Sequence, residues 1–91
     1  MPESVLQSQV QVTNEKGLHL RPAELIAKAA MEFQSTLLLT KDGQSADCKN
    51  ILSVMTLGAE NGTHLSLSAE GDDAADAMAA VKELFDSGFH E

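Results

Sequence analysis

The chain has 91 residues and a formal net charge of −8, with 14 acidic against 6 basic side chains. This length predicts a single domain over residues 1–91, with one two-layer core and no room for an enclosed cavity, so functional groups should lie on the surface. The negative charge argues against nucleic-acid binding, which requires a basic surface.

The cysteine count and the hydropathy of the chain indicate the cellular compartment in which we expect the protein. The single cysteine, Cys48, excludes an intramolecular disulfide. The first residues lack the basic region and apolar run of a signal peptide, and no apolar stretch approaches the roughly 20 residues that a membrane helix needs. We therefore expect a soluble cytoplasmic protein with no direct membrane insertion.

The charges are unevenly distributed along the chain. Residues 1–49 hold five basic and six acidic side chains, whereas residues 50–91 hold one basic side chain against eight acidic ones. The near-neutral half contains His19, Arg21, Lys28 and Lys49. An acidic partner or an anionic group is expected to bind on that side of the molecule.

The first half of the chain begins with a predicted strand and a predicted helix. Residues 5–12, VLQSQVQV, alternate apolar and polar side chains, which indicates a half-buried strand. Further on, apolar residues recur at helical spacing, which predicts a helix that begins between His19 and Pro22. Proline fits the first turn because it has no N–H to leave unpaired. The predicted apolar stripe consists of Pro22, Leu25, Ile26, Ala29, Ala30 and Phe33.

The middle of the chain reads as a hairpin followed by a short helix. A strand over residues 36–40 and a returning edge strand over residues 44–47 flank the turn signal Asp42-Gly43. Asn50 is predicted to cap the short helix, which Gly58 ends. The apolar residues of that helix are Ile51, Leu52, Val54 and Met55.

The last part of the chain adds a strand and a helix. HLSLSA, residues 64–69, alternates as a strand does, and Asp72 or Asp73 can cap the final helix, which Gly88 ends. Its stripe is Ala74, Met78, Val81 and Phe85. The order β-α-β-β-α-β-α predicts an α+β two-layer sandwich, with three helices on one face of an antiparallel or mixed sheet.

The stretch GLHLRPA, residues 17–23, places a histidine and an arginine at the start of the predicted helix. The first amides of a helix lack carbonyl partners and favour an anion, and the Arg21 guanidinium matches phosphate oxygens. The helix end and the guanidinium both disfavour a positive ring on His19, so its lone pair should be free to attack a phosphoryl group. A polar or solvated histidine with no function is the alternative at this point.

The remaining reactive side chains give weaker evidence for a functional site. His64 opens a predicted strand, and His90 lies near a terminus that we expect to fray. We predict no metal site, because the histidines and Cys48 lack metal-ligand spacing, and we expect no cofactor. The serines lack the context of a nucleophile elbow.

Three segments carry a resemblance to a known family: GLHLRPA (17–23), KNILSVMTLGAENG (49–62) and LSLSAEGDDAADAM (65–78). They resemble HPr, the histidine-containing phosphocarrier family of the bacterial phosphoenolpyruvate-dependent sugar phosphotransferase system, from about residue 7 to residue 85. The resemblance implies an open-faced β-sandwich, with three helices covering a four-stranded antiparallel sheet.

The resemblance also implies a function. The matching residue His19 would accept a phosphoryl group on Nδ1 from phosphorylated enzyme I, which takes it from phosphoenolpyruvate, and pass it to IIA domains of sugar permeases. Arg21 falls on the phosphate-contacting arginine, and the phosphate-supporting helix start comprises Leu20, Pro22 and Ala23. The chain would then be a covalent carrier and not an independent catalyst.

The family docks its partners on an apolar surface around the middle helix. The matching residues here are Leu20, Glu24, Lys28, Lys49, Ile51, Leu52 and Met55. At least one of the three apolar residues of the middle helix should belong to the core, and the others should form an exposed patch beside His19.

Two departures from the family pattern matter. Many members carry a regulatory serine where this chain has Asn50, so we predict no regulation by the serine kinase. Met31 and Ser53 stand where some members have lysine, which leaves a nitrogen-regulatory paralogue open.

Two further alternatives also remain. One is a non-phosphorylated docking module of the same fold, and the other is an unrelated α+β domain that binds an anionic metabolite. The default oligomeric state is a monomer.

Overall fold

The computed structural model of the protein describes residues 5–91. Seven helices and strands follow in the predicted order: β1 (Val5–Gln11), α1 (Leu20–Ala30), β2 (Thr36–Lys41), β3 (Gln44–Asp47), α2 (Ile51–Thr56), β4 (His64–Glu70) and α3 (Ala74–Asp86). A short 3-10 turn, Gly88–His90, comes after them. The predicted boundaries of the four strands agree with the structure to within one residue.

The four strands form one antiparallel sheet in the order β1-β4-β2-β3. Register places Val10 opposite Leu65 and Leu39 opposite Leu67. All four side chains are buried, as the period of two requires when one face of a sheet is covered. The α+β open-faced sandwich is therefore confirmed, and of the two sheet types predicted from the residues the antiparallel one is present.

The hairpin between β2 and β3 uses the predicted turn. Asp42 and Gly43 both have positive φ, 51° and 83°, as a type I′ turn requires at its two central residues. Lys41 and Gln44 pair directly on either side of the turn.

The helices bury the predicted stripes with small differences. The α3 stripe is buried throughout. In α1 the buried positions shift slightly, because Ala23 and Ala27 are buried while Leu25, Ala29 and Phe33 are only half-buried. In α2 the fully buried residue is Val54. The helices and the sheet thereby enclose one aliphatic core.

The expected cap of α3 is only partly present. Asp73 precedes the helix, but its carboxylate accepts hydrogen bonds from the backbone N–H groups of Gln34 and Ser35, each at 2.9 Å, and from the Ser35 hydroxyl. The side chain thus ties the loop between α1 and β2 to the start of α3. A tertiary contact replaces the local capping bond that the sequence pattern suggested.

The C-terminal segment that we expected to fray is instead packed against the core. After α3, Gly88, Phe89 and His90 all have φ near +60°. This conformation costs roughly 1–2 kcal/mol for each residue with a side chain. Phe89 is fully buried, and its ring lies 4.9 Å from that of Phe85 in an edge-on arrangement. Its burial offsets that cost.

Cys48 is fully buried, and burial, with a smaller contribution from the neighbouring Asp47 charge, raises the pKa of its thiol to about 12. Within residues 5–91, no helix has both the length and the apolar character to cross a membrane.

Candidate functional site

His19 lies at the end of a loop that a close backbone contact fixes. The Leu18 N–H donates to the Ala59 carbonyl at 2.9 Å. Gly17 has φ +72°, and a Cβ atom added to it would lie 2.5 Å from the Ala59 oxygen. Only glycine allows this approach without a clash. The loop therefore places His19, the residue after Leu18, directly at the start of α1.

The start of α1 provides unpaired backbone donors beside His19. The first bond into the helix runs from the Ala23 N–H to the His19 carbonyl, at 3.1 Å. The N–H groups of Leu20 and Arg21 precede that bond, and Pro22 contributes none. Two amides and the positive end of the helix dipole thus favour an anion close to the imidazole.

Two side chains of the site remain accessible. The His19 side chain is 36% exposed. Arg21 is exposed in the first turn, and across residues 5–91 no carboxylate lies within ion-pair distance of its guanidinium. A guanidinium without a protein partner is available for an incoming anion.

The structure adds a residue that the sequence analysis missed. His19 Nε2 lies 2.9 Å from Glu91 Oε2, and Glu91 Oε1 accepts a 3.1 Å hydrogen bond from Asn14 Nδ2. The Asn14 hydrogen bond is the main cause that lowers the pKa of Glu91, and His19 and the Lys16 charge contribute. The Glu91 carboxylate therefore places a negative charge against Nε2 of the ring.

The predicted helix-start residues divide into exposed and buried ones. Leu20 is 52% exposed, whereas Pro22 and Ala23 are buried. The last two therefore shape the helix start from inside, and Leu20 carries the accessible apolar side chain.

The predicted docking residues lie on α1 and α2, which pack against each other, except for Lys49, which lies in the turn before α2. Leu52 is 74% exposed, while Ile51 and Met55 are half-buried against the core. Part of the apolar set thus packs against the core and part is exposed, as expected, while an apolar patch beside His19 stays a prediction.

The charged members of the predicted docking set differ in their contacts. Glu24 and Lys28 are exposed on α1. Lys49 Nζ donates to the Phe33 carbonyl at 2.9 Å. The Lys49 ammonium thus satisfies a backbone carbonyl just beyond the end of α1, in addition to any contact with a partner.

Among residues 5–91, neither of the other two histidines forms a hydrogen bond or ion pair with His19. His64 is exposed at the start of β4, and His90 is exposed in the C-terminal turn. In the part of the chain that the structure describes, no three histidine, cysteine or acidic side chains are grouped as metal ligands are. Asn50 caps α2 as predicted, accepting from the Ser53 N–H at 3.1 Å.

The fold and the site together define a class: small open-faced α+β sandwiches that present an accessible histidine at a helix start. Comparison with known proteins agrees. The family described as "PTS HPr component phosphorylation site" matches residues 6–87. The chain belongs to the HPr family of phosphocarrier proteins of the phosphotransferase system.

Named relatives and solved structures support this membership. The phosphocarrier protein HPr of Treponema pallidum is 40% identical over 82 residues, which cover 90% of this chain and 93% of the relative. That of Vibrio cholerae is 39% identical over 80 residues, 88% of this chain and 94% of the relative. The crystal structure of an HPr from Thermoanaerobacter tengcongensis superposes with a TM-score of 0.90 at 37% identity, covering 94% of this chain and 97% of that one.

Proposed function

We propose that this chain accepts a phosphoryl group on Nδ1 of His19 from phosphorylated enzyme I and passes it to IIA domains of sugar permeases. The phosphoryl group would originate in phosphoenolpyruvate. The proposal covers residues 1–91 as one carrier domain, acting in the cytoplasm as a monomer.

One observation carries the proposal: the accessible imidazole of His19 belongs to the residue just before α1, whose first amides have no hydrogen-bond partner among residues 5–91. Arg21, whose guanidinium has no ion-pair partner among the same residues, follows in the first turn. The ring supplies a nucleophilic nitrogen, and its surroundings supply donors and positive charge for three phosphoryl oxygens. Much of the positioning that phosphoryl transfer requires would come from the partner's active site.

The transfer step needs no cofactor. The Nδ1 lone pair attacks phosphorus, a new N–P bond forms, and the bond from phosphorus to the donor atom breaks, leaving its electron pair on the donor. The second transfer reverses these roles toward the acceptor. An N–P bond suits a carrier because it breaks more readily than the ester a serine would form.

The proposed docking surface comprises the exposed residues Leu20, Glu24, Lys28 and Leu52, with Ile51, Met55 and Lys49 at its inner side. An apolar patch with basic residues nearby fits an acidic partner that has an apolar contact area.

The experiment is to incubate the protein with phosphoenolpyruvate and enzyme I and to measure an acid-labile phosphoryl adduct by intact mass. His19→Ala should abolish the adduct, whereas His64→Ala and His90→Ala, which alter the other two histidines of the chain, should keep it. An adduct that persists in His19→Ala would refute the site.

Failure of the unchanged protein to take up phosphate from any enzyme I, including that of its own organism, would instead favour a docking module. Transfer that proceeds from a nitrogen-regulatory enzyme I but not from the sugar-system enzyme would favour the nitrogen-regulatory paralogue.

A further inference from the structure

We propose that Glu91 is a positioning residue for phosphoryl transfer, which holds the His19 ring in the tautomer whose Nδ1 lone pair is free. This inference rests on the proposed function of His19. Glu91 does not touch the reacting phosphorus in this account, because it acts through the opposite ring nitrogen.

The hydrogen-bond geometry determines the tautomer. Glu91 Oε2 lies 2.9 Å from His19 Nε2, and an ionised carboxylate only accepts hydrogen bonds. The proton must therefore be on Nε2. A neutral imidazole carries one ring proton, so Nδ1 keeps its lone pair.

The carboxylate is held from its other side by Asn14. Asn14 is buried at 5% exposure, and its Nδ2 group donates both to Glu91 Oε1 at 3.1 Å and to the Gly17 carbonyl at 2.7 Å. A flipped amide would place two acceptors, Asn14 Oδ1 and the Gly17 oxygen, against each other, so the amide orientation is fixed. A fixed donor therefore orients the carboxylate toward the ring.

The C-terminal turn brings Glu91 to this position. Phe89 is fully buried against Phe85 and anchors the left-handed turn that precedes Glu91. His19 and Glu91 are 72 residues apart in the sequence, and the turn supplies the connection. The turn of residues 88–90 thus places the Glu91 carboxylate within hydrogen-bond distance of the imidazole.

The contact also bears on how the carrier releases its phosphoryl group. When Nδ1 bonds to phosphorus while Nε2 keeps its proton, the ring is positively charged, and the Glu91 carboxylate stabilises that charge. In the next step the N–P bond breaks and its electron pair returns to Nδ1. No proton has to move at Nε2 in either direction, so the same tautomer serves both transfers.

The test compares Glu91→Gln with Glu91→Ala. Glutamine offers one acceptor and one donor, whereas both neighbours, Asn14 Nδ2 and His19 Nε2, donate to the native carboxylate. If the glutamine oxygen stays on Asn14, its NH₂ group faces Nε2 and favours the tautomer with the proton on Nδ1. That tautomer blocks the attacking atom, as a carboxylate-to-amide change does in other carboxylate–histidine pairs.

We expect Glu91→Ala to lower the initial rate of phosphoryl uptake about threefold to fivefold, since the pair is partly exposed. Glu91→Gln should lower the rate further than alanine does. The matched control is Glu83→Gln, which makes the same chemical change at an exposed position of α3 and should leave the rate unchanged.

A second readout records the tautomer directly in the unphosphorylated protein. The ¹⁵N chemical shifts of His19 should show a protonated Nε2 and an unprotonated Nδ1 in the native chain and in Glu83→Gln. In Glu91→Gln the population should shift toward a protonated Nδ1. A purely structural role for Glu91 would not produce this shift.

The outcomes separate the two proposals. If the native chain takes up phosphate and both Glu91 variants do so at the native rate, the positioning role is overturned. An unchanged ring spectrum in Glu91→Gln would overturn it even if transfer slowed. If the native chain takes up no phosphate, the proposed function fails, and the ring spectrum alone then decides whether Glu91 sets the tautomer.

Discussion

At the residue scale, the proposed function assigns different roles to an imidazole and to a fixed cation. In the proposed function, His19 would provide the attacking nitrogen, and Arg21 would provide charge and a planar set of donors for phosphoryl oxygens. Because the guanidinium is exposed and lacks an ion-pair partner among residues 5–91, its removal should affect transfer and leave the fold intact.

Arg21→Ala should therefore slow phosphoryl uptake roughly 10- to 100-fold, the equivalent of one charge-assisted hydrogen bond in the transition state. Its free energy of unfolding should stay within about 0.5 kcal/mol of the native value. Initial rates with enzyme I and urea unfolding measure the two quantities. Arg21→Lys keeps the charge but loses the planar fork, so an intermediate rate is expected. Uptake at the native rate in Arg21→Ala would contradict the role.

Sequence reasoning finds His19 and Arg21 because both belong to one short segment at a helix start. It does not find Glu91, which reaches the ring through a left-handed turn 72 residues away. Left-handed φ at Phe89 is unfavourable for an isolated residue and exists here only because the side chain is buried. No local pattern predicts such a turn.

At the scale of single elements, α2 depends on its cap more than a longer helix would. It spans only Ile51–Thr56, and short helices are marginal without packing and capping. The Asn50 side chain accepts from the Ser53 N–H at 3.1 Å, which satisfies one of the unpaired amides at the helix start.

Asn50→Ala should lower the free energy of unfolding by about 1 kcal/mol, because that amide loses its acceptor. Asn50→Ser and Asn50→Asp retain a capping oxygen and should stay close to the native stability. Urea denaturation of the three variants measures the difference. Equal stability of the alanine and serine variants would show that the cap contributes nothing.

Periodicity predicts most elements well, because each helix or strand here has one covered and one open face. The Asp73 cap is the instructive exception. The local pattern suggests a bond within α3, but the carboxylate instead binds Gln34 and Ser35, which only the tertiary fold brings near. An aspartate before a helix can accept hydrogen bonds from the first amides of that helix or from a distant loop, and the sequence pattern shows only the first possibility.

At the scale of the whole molecule, Asp73 links distant parts of the chain and makes stability depend on pH. The Ser35 side-chain hydrogen bond, followed by the Gln34 backbone bond, lowers the pKa of Asp73 from its usual value of 3.8. A carboxyl whose pKa is lower in the folded state stabilises the protein fully above its unfolded pKa. This contribution is lost as the pH falls below about 3.8 and through the lower folded pKa.

Asp73→Asn should therefore lower the unfolding free energy at pH 7 and flatten its decline in the acid range. Urea unfolding at a series of pH values from neutral to strongly acidic measures this. Asp72→Asn is the matched control, because Asp72 is an exposed neighbour, and it should keep the native acid dependence. The same steep acid decline in Asp73→Asn as in the native chain would contradict the linkage.

For the molecule as a whole, the sequence predicts the order of the helices and strands and the face that each of them buries. Four short strands with one polar face suit both antiparallel and mixed sheets, so periodicity alone leaves the choice open. The observed order β1-β4-β2-β3 depends on long-range pairing, which no local window contains. The family resemblance implied the antiparallel sheet, and the structure adds the strand order.

The most direct test of the account is where the phosphorus is bound. A sample labelled with ¹⁵N-histidine, phosphorylated by enzyme I and phosphoenolpyruvate, can be examined for ³¹P–¹⁵N coupling by NMR. We expect a coupling to Nδ1 of His19, with Nε2 of the same ring still protonated. Coupling to Nε2 of His19, to His64 or to His90, or phosphorus bound to a hydroxyl oxygen instead of a nitrogen, would contradict it.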